Sequence, residues 1–141
     1  MADSFPKNQR IIGLDVGDKA IGVAVSDVSG TVATAVAVLE RKKFMQDIKP
    51  IIAEKNPGGF LIGLPLEMDG GKGPRYQSVK AFGRNLQKEV NLPVEFHDER
   101  MSSRAVENMM LNADMTRQRR NELSDKLAAA YILQGFLDSR M

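Results

Sequence analysis

The chain has no cysteine and a single histidine, His97, among its 141 residues. It can therefore form neither a disulfide nor a thiolate metal site, and a zinc site built from several imidazoles is excluded. No stretch approaches the roughly 18 apolar residues of a membrane span. Residues 1–10 lack the apolar core of a signal peptide. We expect a cytoplasmic protein with no membrane contact.

A strong charge of either sign is missing too, because 20 basic and 18 acidic residues leave a formal net charge of +2. Such a balance is compatible with nucleic-acid binding but is not evidence for it. The hydrophobic share of 43% is typical of a globular chain, and the length is that of one domain. We expect residues 10–138 to form this domain and residues 1–9 to be a flexible tail.

The most informative stretch runs from Ile11 to Asp27, where two apolar runs flank a turn that contains Gly17. This pattern predicts a β-hairpin. The first run ends in Asp15, and an acid at the end of a buried strand costs free energy unless it is paired, hydrogen-bonded or bound to a metal. Asp15 is the first candidate for chemistry, although it could instead cap the turn.

The rest of the chain alternates between strand and helix periods. Apolar runs predict strands at 31–39, 60–64 and 94–97, and helical spacing predicts helices at 40–55, 74–90, after 102 or 103, and 117–138. Crossover helices imply that the later strands run parallel to the first, whereas the first three are antiparallel neighbours. We predict an α/β fold in which helices flank a mixed five-stranded sheet. One side of the hairpin is thin enough for a helix to pack closely, because it carries Gly13, Gly22 and Ala24.

Three carboxylates converge in this arrangement. Asp15 ends the first strand, Glu99 ends the fifth, and Asp125 lies on the last helix, which could cross the same edge. Three acids repel one another unless a cation neutralises them, and oxygen ligands suit Mg²⁺ or Mn²⁺. Two such ions can stabilise the attacking and leaving oxygens of a phosphoryl displacement. The sequence predicts a metal-dependent phosphodiesterase.

Each of these acids also has a simpler interpretation. Glu99 could pair with Arg100, and Asp125 could be solvated. Asp98 could replace Glu99, because neighbouring strand residues point to opposite faces of a sheet. Glu67 and Asp69 lie in a glycine-rich loop, where they either support the site or only form turns.

Basic residues flank the predicted acidic site and are candidates for contact with nucleic-acid phosphates. They could equally be solvated surface groups. The candidates are Lys19, Arg100, Arg104, Arg117, Arg119 and Arg120.

The hairpin and three later motifs together resemble the YqgF (RuvX) family over residues 10–137. The motifs are Gly63–Gly70 (GLPLEMDG), Asp98–Ser103 (DERMSS) and Ser124–Ala129 (SDKLAA). The resemblance implies an RNase H-like fold. It also implies either a nuclease that matures the 5′ end of 16S ribosomal RNA or a Holliday junction resolvase, with Asp15, Glu99 and Asp125 as the catalytic residues and metal ligands.

Some positions depart from the family pattern. Asp18 and Glu67 add acids, Ala20 replaces a basic residue, and Ser102 and Ser103 replace threonines. The added acids weaken the expected contact with a nucleic-acid backbone. They leave room for a non-catalytic factor that binds nucleic acid or ribosomal particles.

The residues alone do not separate precursor ribosomal RNA from branched DNA as the substrate, nor a monomer from a homodimer. An actin-like ATPase is a third reading, because Asp15-Val16-Gly17 resembles that superfamily's phosphate loop. Such ATPases need two domains facing a cleft, however, and this chain has the length of one.

Overall fold

A computed structural model describes residues 5–65, 73–98 and 117–140 of the chain, and the side chains of residues 117–126 are outside this description. Its centre is a five-stranded sheet with the strand order β3-β2-β1-β4-β5. The strands are β1 (Ile11–Val16), β2 (Ala20–Ser26), β3 (Ala33–Glu40), β4 (Gly59–Leu64) and β5 (Val94–Asp98).

The pairing of these strands confirms the predicted mixed sheet. β2 is antiparallel to both β1 and β3, whereas β4 runs parallel to β1 and β5 runs parallel to β4. The carboxyl ends of β1, β4 and β5 therefore lie at one edge of the sheet.

Three helices are described, and their bounds are close to the predicted ones. They are α1 (Phe44–Lys55), which follows a 3-10 turn at Arg41–Lys43, α2 (Pro74–Val90) and α3 (Arg117–Ser139). The helix that the sequence predicts after Ser102 or Ser103 lies outside the described residues. None of the helices in the described part of the chain is long and apolar enough to cross a bilayer.

β3 begins two residues later than the sequence suggested. The amides of Thr31 and Val32 donate to Oδ1 of Asp27, at 2.7 and 3.1 Å. These two residues are thereby held in the turn after β2, and the ladder to β2 starts at Ala33, opposite Ser26.

Alternation along β1 divides the core between the two faces of the sheet. Ile12, Leu14 and Val16 face one cluster, in which α1 contributes residues such as Phe44 and α2 residues such as Leu86. We call this side the α1–α2 face. The cluster on the other side, the α3 face, consists of Phe5, Ile11, Ala24, Leu61, Ala129, Ile132, Leu133 and Leu137.

The thin side of the hairpin is covered by α3, as expected. A Cβ added to Gly13 would stand 2.8 Å from Cβ of Leu133, closer than real Cβ contacts. Helix and sheet can approach this closely only because β1 has no side chain at that point.

Phe5 falls within the segment expected to be a flexible tail, yet only 5% of it is exposed. Its ring packs edge-on against Phe136 of α3, with 5.7 Å between the ring centroids. Burial of an aromatic ring fixes this part of the segment on the α3 face.

Candidate active site

Asp15 is half-buried on the α3 face, in phase with Ile11 and Gly13 of the same strand. Its partner on β2 is Gly22. On the other side, the printed register of β1 with β4 runs to Leu14 and Ile62, and Gly63 is the next residue of β4. Gly22 has no side chain, so it leaves space beside the carboxylate on this face of the sheet.

Helix α3 passes over β1 and runs from the Asp15 end of the strand towards its opposite end. The Cβ position of Gly13 is 2.8 Å from Leu133 and 3.4 Å from the carbonyl of Ala129. Further along the helix, the side chain of Gln134 accepts from the amide of Ala33 and donates to the carbonyl of Thr31. These contacts lie at the end of the sheet opposite Asp15.

On β5, the alternation places Asp98 away from Asp15. Asp98 is in phase with Val94 and Phe96, which pack against the α1–α2 face. His97 points the other way and packs edge-on against Phe136, with 5.8 Å between ring centroids. This packing gives the histidine a structural role on the α3 face.

Burial lowers the pKa of His97 below its ordinary value of 6.5, and the nearby Asp98 carboxylate partly offsets the effect. The lowered pKa favours the neutral ring near pH 7. Asp98 therefore affects this ring from the opposite face of the sheet.

The turn between β1 and β2 contains Lys19, one of the predicted phosphate contacts. Its backbone is closed by a hydrogen bond of 2.9 Å from the Gly17 amide to the Ala20 carbonyl. A Cβ at Gly17 would stand 2.8 Å from that carbonyl oxygen, so the turn requires glycine there. Beside the turn lies an open groove of about 620 Å³, lined by Asp18, Lys19, Glu40, Arg41 and Lys42.

Two arginines at this turn were not among the predicted site residues. Nη1 of Arg41 donates to the carbonyl of Gly17 at 3.0 Å, and Nη2 of Arg75 donates to that of Val16 at 3.2 Å. Both carbonyls follow Asp15 directly in the chain. Sequence periodicity could only mark each arginine as a polar position, since the contacts depend on how α2 and the 3-10 turn before α1 pack against the β1–β2 turn.

Several predicted site residues fall outside the described part of the chain. For Asp125 and three arginines of α3 only the backbone is described. Among the described residues, no group of three or more acidic, histidine or cysteine side chains could hold a metal ion. The predicted residues outside the description are Glu67, Asp69, Glu99, Arg100 and Arg104, and those with only a described backbone are Asp125, Arg117, Arg119 and Arg120.

Comparison with known proteins identifies the family. The family model described as "RuvX: Holliday junction resolvase" matches residues 9–139. The chain belongs to the RuvX (YqgF) family. This membership confirms the resemblance found in the four motifs, and it outweighs the actin-like reading of the Asp15 turn.

Relatives of this RuvX-family chain are similar over almost their whole length. A protein of Paramagnetospirillum magneticum is 49% identical over 140 residues, which cover 97% of this chain and 90% of the relative. A protein of Ruegeria sp. is 50% identical, with 97% and 89% covered. Both are named "Putative pre-16S rRNA nuclease". The names of the family and of these relatives denote nucleases, the enzyme class that the sequence predicted.

Two solved structures share the fold of the RuvX-family chain. Thermus thermophilus RuvC has a TM-score of 0.58 at 15% identity, with 94% of this chain and 96% of that chain covered. RuvC from the same species in complex with a Holliday junction substrate has a TM-score of 0.56 at 14% identity, with the same coverage. At this identity the likeness shows the fold alone, and it confirms the RNase H-like fold.

Proposed function

We propose that this chain is a divalent-metal-dependent endonuclease that hydrolyses phosphodiester bonds in precursor 16S ribosomal RNA. The observation that supports this best is the position of Asp15, which pairs with Gly22 near the end of β1, at the sheet edge where the carboxyl ends of β1, β4 and β5 meet. Relatives about half identical over nearly the full chain carry the name of a pre-16S rRNA nuclease.

The proposed metal ligands are Asp15, Glu99 and Asp125. Carboxylate oxygens are hard donors and fit Mg²⁺ or Mn²⁺, whereas the absence of cysteine and the single histidine do not suit softer metals. The phase of β5 supports Glu99 over Asp98 for this role. Asp98 is in phase with Val94 and Phe96 on the α1–α2 face, whereas Asp15 lies on the α3 face.

In this proposal the chain's own groups bind and orient the substrate. Gly22 leaves room for a sugar–phosphate backbone beside the Asp15 carboxylate. Glu67 and Asp69 support the ligands from their loop. The phosphates on either side of the scissile bond contact a set of basic side chains, namely Lys19, Arg100, Arg104, Arg117, Arg119 and Arg120.

A divalent cation, when bound, supplies positive charge to the phosphoryl oxygens and lowers the pKa of the attacking water. The residues that hold it must therefore be ionised and fixed in place. The sequence contains no cysteine and no histidine-centred triad that would serve as a protein nucleophile. A sequence without such a nucleophile is consistent with direct attack by water on phosphorus.

The decisive experiment compares cleavage of a 5′-extended 16S precursor with cleavage of a four-way DNA junction, each in Mg²⁺ and in Mn²⁺. Asp15→Asn removes the charge of a ligand without changing its size. We expect it to lower kcat by at least about 100-fold while the variant still binds RNA. Asp47→Asn on α1 is the matched control, and we expect it to cut normally.

Full activity of Asp15→Asn would rule out the metal-site assignment. Cleavage of the DNA junction but not of the precursor would favour the resolvase, the activity in the printed family description. RNA binding with no cleavage of either substrate would favour the non-catalytic factor. If precursor RNA is the substrate, we expect the chain to act in the cytoplasm on ribosomal particles.

A further inference from the structure

The strand that bears Asp15 leads directly into the β1–β2 turn. Its pairing with β2 extends to Val16, which lies opposite Ile21, and residues 17–19 follow at once. Contacts that hold this turn therefore also hold the end of the strand on which Asp15 lies.

Two guanidinium groups bind the backbone just beyond this point. Arg75 donates to the carbonyl of Val16, and Arg41 donates to the carbonyl of Gly17. The backbone amide of Arg41 also donates to the carbonyl of Lys19 at 2.8 Å. Arg41 thus holds the β1–β2 turn from both its first and its last residues.

The half-buried Arg41 side chain is itself held in place by α2. Its Nη2 donates to Oγ of Ser78 at 2.8 Å and to the Ser78 carbonyl at 3.4 Å. Its guanidinium carbon stands 5.5 Å from the ring centroid of Phe82, four residues further along the same helix. A planar guanidinium that bonds on one edge and stacks on a ring has little freedom.

We propose that Arg41 is a positioning residue for the RuvX-family reaction: it couples α2 to the β1–β2 turn and so holds Asp15 in register. Arg41 acts through the backbone after Asp15 and does not contact the substrate. This inference rests on the proposed function, because it assigns Asp15 to the reaction. Displacement of a reacting group by about 1 Å can cost about 100-fold in rate, so support of the backbone just after Asp15 should affect kcat.

The alternative role for a basic residue beside the site is direct contact with a substrate phosphate. The two roles differ in what they change. A phosphate contact contributes to substrate binding and to its salt dependence. A positioning residue leaves binding alone and affects the rate once the substrate is bound.

The test replaces Arg41 by lysine, which keeps the charge but loses the planar group that spans Gly17 and Ser78. Arg84→Lys on the exposed side of α2 makes the same chemical change and is the control. We expect Arg41→Lys to lower kcat about 10- to 100-fold, with KM and the salt dependence of binding unchanged. Arg84→Lys should match the wild-type protein.

A second variant, Ser78→Ala, leaves every charge in place and removes only the hydroxyl that holds the guanidinium. We expect a smaller fall in kcat in the same direction. Hydrogen exchange of the amides in residues 17–20 should be faster in both variants than in the Arg84→Lys control, because the turn loses its external support.

A raised KM with unchanged kcat in Arg41→Lys would identify Arg41 as a substrate contact and overturn the proposal. Unchanged kcat together with unchanged turn exchange would overturn it as well. If the wild-type protein cuts neither substrate, the proposed nuclease function fails on its own. The proposed role of Arg41 is then tested by hydrogen exchange of the amides in residues 17–20 alone. Unchanged exchange in Arg41→Lys would overturn it.

Discussion

At the scale of single residues, Asp27 has the most clearly defined environment. Its carboxylate accepts from the Ser29 hydroxyl at 2.7 Å and from the amides of Thr31 and Val32. These bonds, that of Ser29 first, lower the pKa of Asp27 from 3.8 to about 2. The ionised carboxylate therefore organises the turn that delays the start of β3.

We predict a stability difference between the wild-type protein and Asp27→Asn that depends on pH. Because the folded pKa is depressed, the contribution of the ionised group is fully present above about pH 4 and is lost as the pH falls through about 2. Urea denaturation should show the variant to be less stable at pH 7, with a gap that closes towards pH 2. A gap that stays constant from pH 7 to pH 2 would contradict this assignment.

At the residue scale, the sequence predicted the position of a side chain when that position depends only on its neighbours in the chain. Asp15 stood out because an acid ends an apolar strand, and the structure finds it half-buried at that strand end. Arg41 and Arg75 did not stand out, since an arginine on a helix surface looks solvated until the packing of a second element is known. The face on which Asp98 lies likewise could not be predicted from the sequence, because it depends on how β5 packs against its neighbours.

At the scale of elements, the contact between α3 and β1 carries both packing and the geometry of the site. Ala129, Leu133 and Leu137 of this helix are almost completely buried. The same contact lies on the face of the sheet that carries Asp15. The hydrophobic stripe predicted the burial of α3, and Gly13, Gly22 and Ala24 predicted where the helix would pack.

We predict that Gly13→Ala weakens folding and catalysis together. The new methyl group would stand 2.8 Å from Cβ of Leu133, so α3 must move away from the sheet. Overpacking of this kind costs about 1–3 kcal/mol of unfolding free energy. The increased spacing between residues 125 and 15 should also lower kcat, measured at a temperature at which the variant is fully folded.

Gly135→Ala is the control for this change, because it adds a methyl group to α3 itself. There the nearest atom is Nε2 of His97 at 3.8 Å, an ordinary contact. Alanine favours a helix over glycine by up to about 1 kcal/mol, so this variant should be as stable as the wild type or more stable. Equal stability of the two variants would show that the approach at Gly13 is not tight.

At the scale of the whole molecule, a net charge of +2 limits how nucleic acid can be attracted. Any attraction must come from local groupings of basic side chains, such as the groove beside the β1–β2 turn. That groove contains Lys19 and Lys42 but also the acids Asp18 and Glu40. Phosphates must therefore be attracted to the site by a few basic side chains near it, since the electrostatic potential of the whole protein is weak.

We predict that Lys19→Gln reduces the salt dependence of RNA binding. Loss of one phosphate contact should reduce the slope of log affinity against log salt concentration by about 0.7 to 0.9 and weaken binding to all sequences alike. Asp18→Asn should strengthen binding, because it removes the neighbouring acid. Binding titrations at several salt concentrations measure both effects. An unchanged slope for Lys19→Gln would show that Lys19 does not contact a phosphate.

The order of the elements could be predicted because each strand and helix has its own period and its own stop signals. Asn56 and Asn91, for example, end α1 and α2 in the left-handed conformation that asparagine tolerates. The relation between the two faces was harder to predict. It depends on contacts between residues far apart in the chain, such as the bonds from Gln134 to Thr31 and Ala33.

The sheet divides the hydrophobic core into two parts that do not serve the same purpose. Among the described residues, the α1–α2 face has the larger cluster of buried side chains, whereas the α3 face is the side on which Asp15 lies. The two parts are nevertheless connected, because Arg41 contacts both Phe82 of the α1–α2 face and the turn that follows Asp15. A substitution beneath α3 can therefore reach the reaction through the helix itself, and one around Phe82 can reach it through the support of this turn.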